Sequence, residues 1–562
     1  MGFVTSDLQE TQPKRLLKFF WLVLALLVLG FVHVHQGSKW YVFTTGWPDS
    51  TLGRGYSAGD VVFTSCAALT DKPVPRDVDC GVIFVPKNYF DKHAGLSGIA
   101  FARRKSENKI QKKGTVFLNP GGPGGSGVLE VLAPEKMWGQ HRIPTMIGPN
   151  YDVIGFDIRG VAFTRPKTEC LNEDEKALFH ANTVLEQGFT VSNPLNASKD
   201  ALKAELVPQY RQFLALKQVQ SQICAERMGD ELNHFFGASY GTILGSYLVN
   251  MFPERIGRVV IDGVATPDLW STTLNHKWPH KWLVDAEATF ERFLRDCAAA
   301  GPSRCALAQF PNQPWDHIRD RIDAYFDDLA LHPLPLPSGS RPGYLTSGLA
   351  RSTLYIGIEI PKLWPKWASL FGGALSGDAR PLYDFAIRQA IGGYDYARTA
   401  VSCADAPESN DVDFPTPEDL AEEAVRTISE VSPRFGVSIE FSEPDGGCQF
   451  WPYRSPGRFS GPWNATLATP MLIVSNTLDP ITPKANGLWV HEQMPNSSLM
   501  LIQDGPGHTA MSMDSACTFE AIHNYFAGIL PRNGTVCLVD EPDTFSEEGL
   551  SDGYALDRLI KR

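Results

Sequence analysis

The stretch that decides the fold is Gly237-Ala238-Ser239-Tyr240-Gly241, with the strand-like His234-Phe235-Phe236 before it and Thr242-Ile243-Leu244-Gly245 after it. The residues that follow predict the first turns of a helix. A serine at a sharp strand-to-helix turn exposes its hydroxyl, and the tight backbone leaves no room for a Cβ two positions before and after it. Ser239 is therefore the candidate nucleophile, provided that the chain supplies partners for it.

Two apolar strands downstream each lead to a residue that could complete a catalytic triad. Leu472-Ile473-Val474-Ser475-Asn476 has the pattern of a buried parallel strand, and Asp479 follows it. Ser498-Leu499-Met500-Leu501-Ile502 leads into the glycine-rich loop that carries His508. The order Ser, Asp, His predicts Asp479 as the orienting acid and His508 as the general base. Two rival acids rank lower because neither ends a strand of its own: Asp504 and Asp514.

Backbone donors for an oxyanion are predicted at a glycine-rich turn after an early strand. Thr115-Val116-Phe117-Leu118 leads into Asn119-Pro120-Gly121-Gly122-Pro123-Gly124-Gly125-Ser126-Gly127, so we expect the amides of Gly122 and Tyr240 to form the hole. The turn also matches the dinucleotide pattern G-x-G-x-x-G. A dinucleotide site is disfavoured, because Pro123 interrupts the run of amides and no acidic residue lies about 20 positions further on. A P-loop is excluded, because its Gly-Lys-Ser/Thr ending is missing.

Further motifs show that the chain resembles serine peptidases of the prolyl and tripeptidyl aminopeptidase type (peptidase family S33) within the α/β-hydrolase superfamily. The resemblance covers about Cys80 to Cys537 and includes a region similar to the C-terminal part of tripeptidyl aminopeptidases. Its motifs beyond the elbow are Asn119-Pro120-Gly121-Gly122-Pro123-Gly124, Tyr151 to Gly160, Val260-Ile261-Asp262-Gly263-Val264, Ser402-Cys403-Ala404-Asp405-Ala406-Pro407 and Gly447-Cys448-Gln449-Phe450-Trp451-Pro452. The chain departs from the family at Val161-Ala162-Phe163-Thr164, where Gly and Ser are usual, which leaves the pocket wall and the substrate open.

The fold class expected is α/β: an α/β-hydrolase fold, mainly parallel sheet with helices on both faces and an inserted helical cap. Ser239 and Asp479 are 240 positions apart whereas Asp479 and His508 are only 29 apart, so the cap interrupts the sheet between them. The expected cap carries eight of the 13 tryptophans, which suits an apolar or peptide substrate, although each could simply pack the cap's own helices. These eight are Trp270, Trp278, Trp282, Trp315, Trp364, Trp367, Trp451 and Trp463.

The expected division of the chain follows from these spacings. It comprises a cytoplasmic stub and signal anchor (1–35), a linker or N-terminal extension (36–79), the first part of the hydrolase core (80–265), the cap (266–467), the C-terminal part of the core (468–540) and a tail (541–562). Gln209 to Met228 is predicted as a helix before the elbow strand. Asp285 to Ala299 and Thr416 to Val431 are predicted as cap helices.

The function expected from these residues is a serine exopeptidase that acts on short peptides from their N-terminus through an acyl-enzyme. An aminopeptidase must recognise a free ammonium group, and carboxylates in the cap are the physical means, with Asp405 and Glu408 as candidates beside the alternative that they are capping or solvated acids. The rival enzyme function is hydrolysis of esters, lactones or thioesters in small-molecule biosynthesis, because the same triad cleaves all of these. A non-catalytic adhesion protein on this fold usually loses the nucleophile, which is present here.

The N-terminus bears on the compartment. Lys14, Arg15 and Lys18 precede an uncharged run of 14 residues, Phe19 to Val32, which extends to 16–34 if Lys18 snorkels. No small-x-small pair precedes a cleavage point, so an uncleaved signal anchor is expected, with a single membrane pass and a lumenal or extracellular catalytic domain. The alternative is a secreted protein, if this segment is cleaved.

Ten cysteines fit an oxidising compartment, since an even number can pair completely and no zinc spacing occurs. Sequence neighbours suggest five pairs, although sequence alone leaves the connectivity open: Cys66–Cys80, Cys170–Cys224, Cys297–Cys305, Cys403–Cys448 and Cys517–Cys537. Sequons make four residues candidates for glycosylation: Asn196, Asn464, Asn496 and Asn533. The net charge of −12 provides no basic footprint, so no nucleic-acid partner is expected, and neither a cofactor nor a metal is expected.

Overall fold

The computed structural model describes residues 41–44, 55–69, 74–87, 95–132, 143–165, 180–181, 183–223, 235–392, 396–407, 414–438, 447–451, 454–455 and 458–546. Its strands are β1 (Tyr41–Thr44), β2 (Val61–Thr64), β3 (Val78–Pro86), β4 (Leu96–Arg104), β5 (Gly114–Asn119), β6 (Tyr151–Phe156), β7 (Phe235–Ala238), β8 (Val259–Asp262), β9 (Leu334–Leu336), β10 (Gly343–Leu345), β11 (Met471–Leu478), β12 (Ser498–Pro506) and β13 (Thr535–Leu538).

The helices of the described chain fall into three groups. The first precedes β8: α1 (Gly127–Leu132), α2 (Ile143–Ile147), α3 (Val184–Gln187), α4 (Lys199–Ile223) and α5 (Tyr240–Met251). The second lies between β8 and β11: α6 (Pro267–Thr272), α7 (Pro279–Trp282), α8 (Ala286–Ala300), α9 (Trp315–Leu331), α10 (Ser347–Ile358), α11 (Trp364–Leu375), α12 (Arg380–Gly392), α13 (Tyr396–Asp405) and α14 (Pro417–Glu430). The third follows β11: α15 (Lys484–Gln493) and α16 (Ala516–Ala527).

One large sheet has the strand order β1-β2-β3-β4-β6-β5-β7-β8-β11-β12-β13. The β1–β2 pair and the pairs from β6 through β13 are parallel, whereas the pairs β2–β3, β3–β4 and β4–β6 are antiparallel. In the register of the central strands, Ala238 lies opposite Asp262, and Asp262 lies opposite Val474. The carboxyl ends of β5, β7, β8, β11 and β12 therefore meet at one edge, which is where ligands bind in open α/β sheets.

The central strands are apolar along their length because helices cover both faces of the sheet. All four residues of β7 and of β8 are buried. Alternate residues enter different cores: Val260 packs with Ile522 of α16, and Ile261 packs with Leu248 of α5 and Val490 of α15. A mainly parallel sheet between two helical layers is thus present, as the sequence predicts.

The second group of helices lies where the sequence predicts the cap. Residues 266–467 are therefore called the cap. Between β8 and β11, the strands of the described part of the chain are those of the β9–β10 hairpin, which is separate from the large sheet. The ring of Trp278 stacks on that of Trp270, with centroids 4.5 Å apart, and is tilted against that of Trp282, with centroids 5.2 Å apart. These rings mainly build the cap's own core, the simpler of the two roles considered for them.

One segment differs from the sequence prediction. The expected linker or extension (36–79) contains β1 and β2 and the first residues of β3, so the large sheet begins before Cys80. The runs are only four residues long, too short for a visible period, and strand pairing at a sheet edge is decided by distant residues. In addition, no helix within the described residues is long and apolar enough to cross a membrane. The expected anchor and most of the expected tail lie outside these residues.

Candidate active site

Ser239 occupies a strained turn between β7 and α5. Its φ of 55° and ψ of −124° place it in a region that residues with a side chain rarely adopt. The neighbouring glycines make the turn possible: a Cβ on Gly237 would lie 2.1 Å from the carbonyl oxygen of Gly241, and one on Gly241 would lie 2.7 Å from that of Asn119. The Ser239 amide donates to the carbonyl oxygen of Asp262 at 2.9 Å, which ties the turn to the next strand.

Asp479 and His508 meet at the same edge of the sheet. Nδ1 of His508 lies 3.0 Å from Oδ2 and 3.2 Å from Oδ1 of Asp479. The Asp479 carboxylate is completely buried and also accepts from the amides of Ile481 (3.0 Å), Thr482 (2.8 Å) and Thr509 (3.2 Å). These donors orient the carboxylate toward the ring, and a carboxylate at Nδ1 favours the tautomer that leaves Nε2 free to accept a proton.

The Thr482 hydroxyl is a third member of this contact. It donates to Oδ2 of Asp479 at 2.7 Å, and its oxygen lies 2.9 Å from Nδ1 of His508. The Thr482 hydroxyl oxygen and the Asp479 carboxylate therefore both face the Nδ1–H of His508. This arrangement restrains rotation of the ring and supports the same tautomer.

The loop that carries His508 is pinned from the sheet and from the cap. Asn476, fully buried on β11, donates from Nδ2 to the carbonyl oxygens of Gly507 and Thr509, each at 2.7 Å. The His508 amide donates to the carbonyl oxygen of Glu359, which follows α10 of the cap, at 2.7 Å. Thr509 has a φ of 65°, so the backbone next to the imidazole is strained as it is at Ser239.

Asp262 is a second buried carboxylate beside this pair. It is completely buried at the end of β8, and its two oxygens lie 2.9 and 3.1 Å from the amide nitrogen of Ala510, two residues after His508. Burial raises the pKa of Asp262 to about 7. The charge of Asp479 also raises this pKa, whereas the Ala510 hydrogen bond and His508 lower it. Asp262 thus joins the strand beside the elbow to the histidine loop.

The predicted oxyanion turn packs directly against the elbow. A Cβ on Gly121 would lie 2.3 Å from the carbonyl oxygen of Ala238 and 3.0 Å from the Tyr240 nitrogen, so only glycine permits this approach. Gly121 and Gly122 have φ values of +95° and +113°. The structure therefore brings the backbone of Gly121, the residue before Gly122, beside that of Tyr240. Gly122 and Tyr240 are the two residues predicted to supply the oxyanion donors.

The same region argues against a phosphate site at the start of α1. Asp157 is completely buried and accepts from the Ser126 hydroxyl at 2.8 Å and from the Val128 amide at 3.2 Å. Burial raises its pKa to about 6 despite these hydrogen bonds. A side chain of the protein already occupies the donors that a dinucleotide phosphate would need.

The rival acids lie elsewhere. Asp504 is exposed and accepts from the Thr477 hydroxyl at 3.0 Å, and Asp514 forms an ion pair with Lys362 at 2.8 Å.

The substrate-binding candidate Asp405 lies at the end of α13, where its Oδ2 accepts from the Tyr240 hydroxyl (3.3 Å) and from Nε1 of Trp270 (3.1 Å). The other candidate, Glu408, lies outside the described residues.

Four of the expected disulfides are present: Cys66–Cys80, Cys297–Cys305, Cys403–Cys448 and Cys517–Cys537. The fifth pair, Cys170–Cys224, lies outside the described residues. The four sequon asparagines are exposed. Glycosylation of these asparagines stays a prediction.

Four site residues were not identified from sequence: Asp262, Arg398, Asn476 and Thr482. Asp262 and Asn476 stand in strand motifs that were noted only for their apolar neighbours. Thr482 follows the candidate acid by three residues, a spacing that turns a hydroxyl back onto an aspartate and could have pointed to it. Arg398, whose Nη1 donates to the carbonyl oxygen of Gly122 at 2.7 Å, is 276 residues away in sequence and has no local signal.

The chain is similar to known hydrolases. A family model described as alpha/beta hydrolase fold matches residues 114–324, and one described as TAP-like protein matches residues 435–537. Serine protease Hip1 of Mycobacterium tuberculosis is 27% identical over 503 residues, 85% of this chain and 91% of the relative. Tripeptidyl aminopeptidase of Streptomyces lividans is 23% identical over 555 residues, 90% of this chain and 93% of the relative. Carboxylesterase B of Mycobacterium tuberculosis is 26% identical over 530 residues, covering 87% and 92%.

The predicted fold class and the predicted resemblance are confirmed by these matches together with the sheet topology. The hydrolase model covers the oxyanion turn and the elbow, and the TAP-like model covers the strands that lead to Asp479 and His508. The chain is an enzyme, a serine hydrolase with the α/β-hydrolase fold, and its C-terminal region matches the model described as TAP-like protein.

Proposed function

We propose that the protein is a serine exopeptidase that releases residues or tripeptides from peptide N-termini, with Ser239, His508 and Asp479 as its triad. The observation that carries the proposal is the Asp479–His508 contact of 3.0 Å at the sheet edge where β7 presents Ser239 in a strained turn. The relatives named serine protease and tripeptidyl aminopeptidase support a peptide substrate.

The proposed reaction proceeds in two steps through an acyl-enzyme. Ser239 Oγ attacks the scissile carbonyl carbon while Nε2 of His508 takes the hydroxyl proton. The amides of Gly122 and Tyr240 bind the oxyanion, and Asp479 stabilises the imidazolium. His508 then gives the proton to the leaving amine, and water, activated by the same base, hydrolyses the ester on Ser239.

Recognition of the peptide N-terminus is proposed for Asp405. Its carboxylate contacts the hydroxyl of Tyr240, the residue that follows the nucleophile, so it lies within a short peptide's reach of the reacting carbonyl. The carboxylate accepts hydrogen bonds from two neutral donors, the phenol of Tyr240 and the indole of Trp270, and a carboxylate is a group that pairs with an ammonium ion. Glu408 stays a second candidate for the same role.

The test compares tripeptidyl amides with free and with acetylated N-termini, beside simple neutral esters. The free peptides should react fastest, and Asp405→Asn should cost them about 2 to 5 kcal/mol in kcat/KM terms, the range for removing one side of a desolvated charge pair. Neutral esters should change little, because the triad is untouched. Asp378→Asn, an exposed carboxylate elsewhere in the cap, is the matched control.

Two outcomes would replace the exopeptidase proposal. Equal activity of the unmutated enzyme on free and acetylated peptides, or equal loss on peptides and esters in Asp405→Asn, would favour hydrolysis of esters, lactones or thioesters. That alternative has support from the relative named carboxylesterase.

We also propose that catalysis takes place outside the cytoplasm. Four disulfides within the described residues support an oxidising compartment. A secreted protein fits these observations. Protease protection of the tagged full-length chain in intact cells, compared with lysed cells, tests the compartment.

A further inference from the structure

One helix of the cap contacts both residues of the proposed oxyanion hole. Arg398 and Asp405 stand seven residues apart on α13, which is about two helical turns and places them on one face. Arg398 donates to the carbonyl oxygen of Gly122, and Asp405 accepts from the hydroxyl of Tyr240. The hydrolase core supplies the two amides of the proposed oxyanion hole, and α13 of the cap contacts both residues that carry them, Gly122 and Tyr240.

The Arg398 contact restrains the backbone of Gly122. The distance from Nη1 of Arg398 to the Gly122 carbonyl oxygen is 2.7 Å, and the arginine is only 7% exposed, so this is a charge-assisted bond shielded from water. Gly122 has a φ of +113° and lacks the side chain that would restrict its rotation. Fixing its carbonyl limits rotation about the same Cα that carries the proposed oxyanion donor.

The C-terminal end of α13 is itself anchored. Cys403 is bonded to Cys448, the Ser455 amide donates to the carbonyl oxygen of Ala404 at 3.0 Å, and Arg458 donates to that of Asp405 at 3.0 Å. The helix is thus attached to the chain segment that returns toward the sheet. Its position relative to Gly122 and Tyr240 follows from these covalent and polar connections.

We infer that Arg398 is a positioning residue for catalysis: through its bond to the Gly122 carbonyl, α13 of the cap holds the oxyanion turn in its productive geometry. The inference rests on the proposed function, because it takes the Gly122 and Tyr240 amides as the oxyanion donors. A small misplacement of a group near the chemistry lowers the rate while leaving ground-state binding nearly unchanged. Arg398 should therefore affect kcat more than KM.

The experiment uses the full chain in four forms: unmutated, Arg398→Met, Arg398→Lys and the control Arg321→Met. Arg321 is also a cap arginine that donates to a backbone carbonyl, that of Leu307 at 2.9 Å, within the cap. Each form is tested with a peptide aldehyde, which forms a tetrahedral adduct with an oxyanion, and with the corresponding peptide alcohol, which does not.

For Arg398→Met we expect kcat and aldehyde affinity to fall by about 10- to 100-fold, with KM and alcohol affinity within about twofold of the unmutated enzyme. Arg398→Lys keeps a cationic donor and should recover at least part of both losses. Arg321→Met should change neither. Thermal unfolding of each variant checks the fold, and if Arg398→Met gives no folded protein, Arg398→Gln is measured in its place with the same expectation.

The two proposals fail in different ways. If the unmutated enzyme binds the aldehyde no more tightly than the alcohol, the oxyanion and triad assignments are wrong. If it discriminates between them and Arg398→Met keeps that discrimination, or loses affinity for both compounds equally, only the positioning role of Arg398 is wrong.

Discussion

The catalytic edge of the sheet and the cap hold their polar groups in different ways. At the edge, Asp479 accepts three hydrogen bonds from backbone amides in addition to those from side chains. In the cap, Arg434 is held by carboxylates from two other segments, Glu287 and Asp323, each at 2.6 Å. The edge depends on backbone geometry set by neighbouring strands, whereas the cap depends on long side chains that meet only when its helices pack.

This difference predicts whether a substitution should lower activity or stability. A backbone donor stays in place when one side chain changes, so single substitutions at the edge should remove chemistry and spare the fold. An ion pair leaves an unpaired buried charge when one partner is removed, so substitutions in the cap should cost stability.

The largest effect is expected for Ser239→Ala. Turnover should fall by about 10⁵-fold or more, because the nucleophile is lost, and a fluorophosphonate probe should no longer label the protein. The unfolding temperature should stay within a few degrees of that of the unmutated enzyme, since the turn accepts a small side chain. Ser246→Ala, on the following helix, is the control, and labelling that persists in Ser239→Ala would refute the assignment of the nucleophile.

Asp479→Asn should lower kcat by about 10³- to 10⁴-fold, because the amide favours the wrong histidine tautomer. Steady-state kinetics on a tripeptidyl amide measures this. Asp504→Asn, at an exposed neighbouring carboxylate, should keep nearly full activity. The reverse result would show that Asp504 is the catalytic acid.

Arg434→Met should lower the free energy of unfolding by about 3 to 5 kcal/mol, because it leaves two partly buried carboxylates without their partner. Chemical denaturation measures the change, and protein that remains folded should still hydrolyse a small ester. Arg319→Met removes an ion pair with the largely exposed Asp320 and should cost no more than about 1 kcal/mol. Similar costs for the two variants would contradict the proposed dependence of the cap on its buried ion pairs.

Asp262→Asn tests the second buried carboxyl group at the edge. Burial favours the neutral form of Asp262, so its contribution to stability is complete below its unfolded pKa near 4 and is lost as the pH rises through about 7. The asparagine can still accept from the Ala510 amide and does not titrate. Between pH 5 and pH 8 the variant should therefore gain about 2 to 4 kcal/mol relative to the unmutated protein.

Denaturation midpoints at the two pH values measure this difference for Asp262→Asn, and Asp504→Asn is the exposed control. A difference in stability that does not change with pH would show that Asp262 is ionised throughout this range.

The smallest effect concerns Ala162, in the turn where the chain departs from its family. Its φ of 38° is left-handed and strained for a residue with a Cβ. Ala162→Gly should therefore raise the free energy of unfolding by about 1 kcal/mol. Ala201→Gly, at an exposed position of α4, should lower it by about 0.5 to 1 kcal/mol. A loss of stability in both would show that the turn at Ala162 is not strained.

Several elements could be predicted from local signals. The helix predicted over Thr416 to Val431 is present as Pro417–Glu430, with Thr416 as its N-cap and Asp419 closing the capping box. The helix predicted over Asp285 to Ala299 is present as Ala286–Ala300. Capping residues and helical periods act within a few positions of one another, which is why the sequence reveals them.

The candidate site was predicted unevenly for the same reason. Ser239, Asp479 and His508 could be named because each follows a recognisable apolar strand and the three occur in a known order. Arg398 and Asp262 could not be named, because their roles depend on contacts with Gly122 and Ala510, which are 276 and 248 residues away in sequence. The β1 and β2 strands were missed because edge pairing over four residues has no period of its own.

The sequence by itself determined the elbow, the order of the catalytic candidates and the mainly parallel sheet, since these follow from side-chain size, apolar periods and turn chemistry along the chain. Only the tertiary structure decided which carboxylate faces the imidazole, which second acid is buried beside it and which cap helix contacts the oxyanion turn. Those choices depend on the register of strands and on the packing of an inserted domain. Both bring together residues whose separation in sequence carries no information about their separation in space.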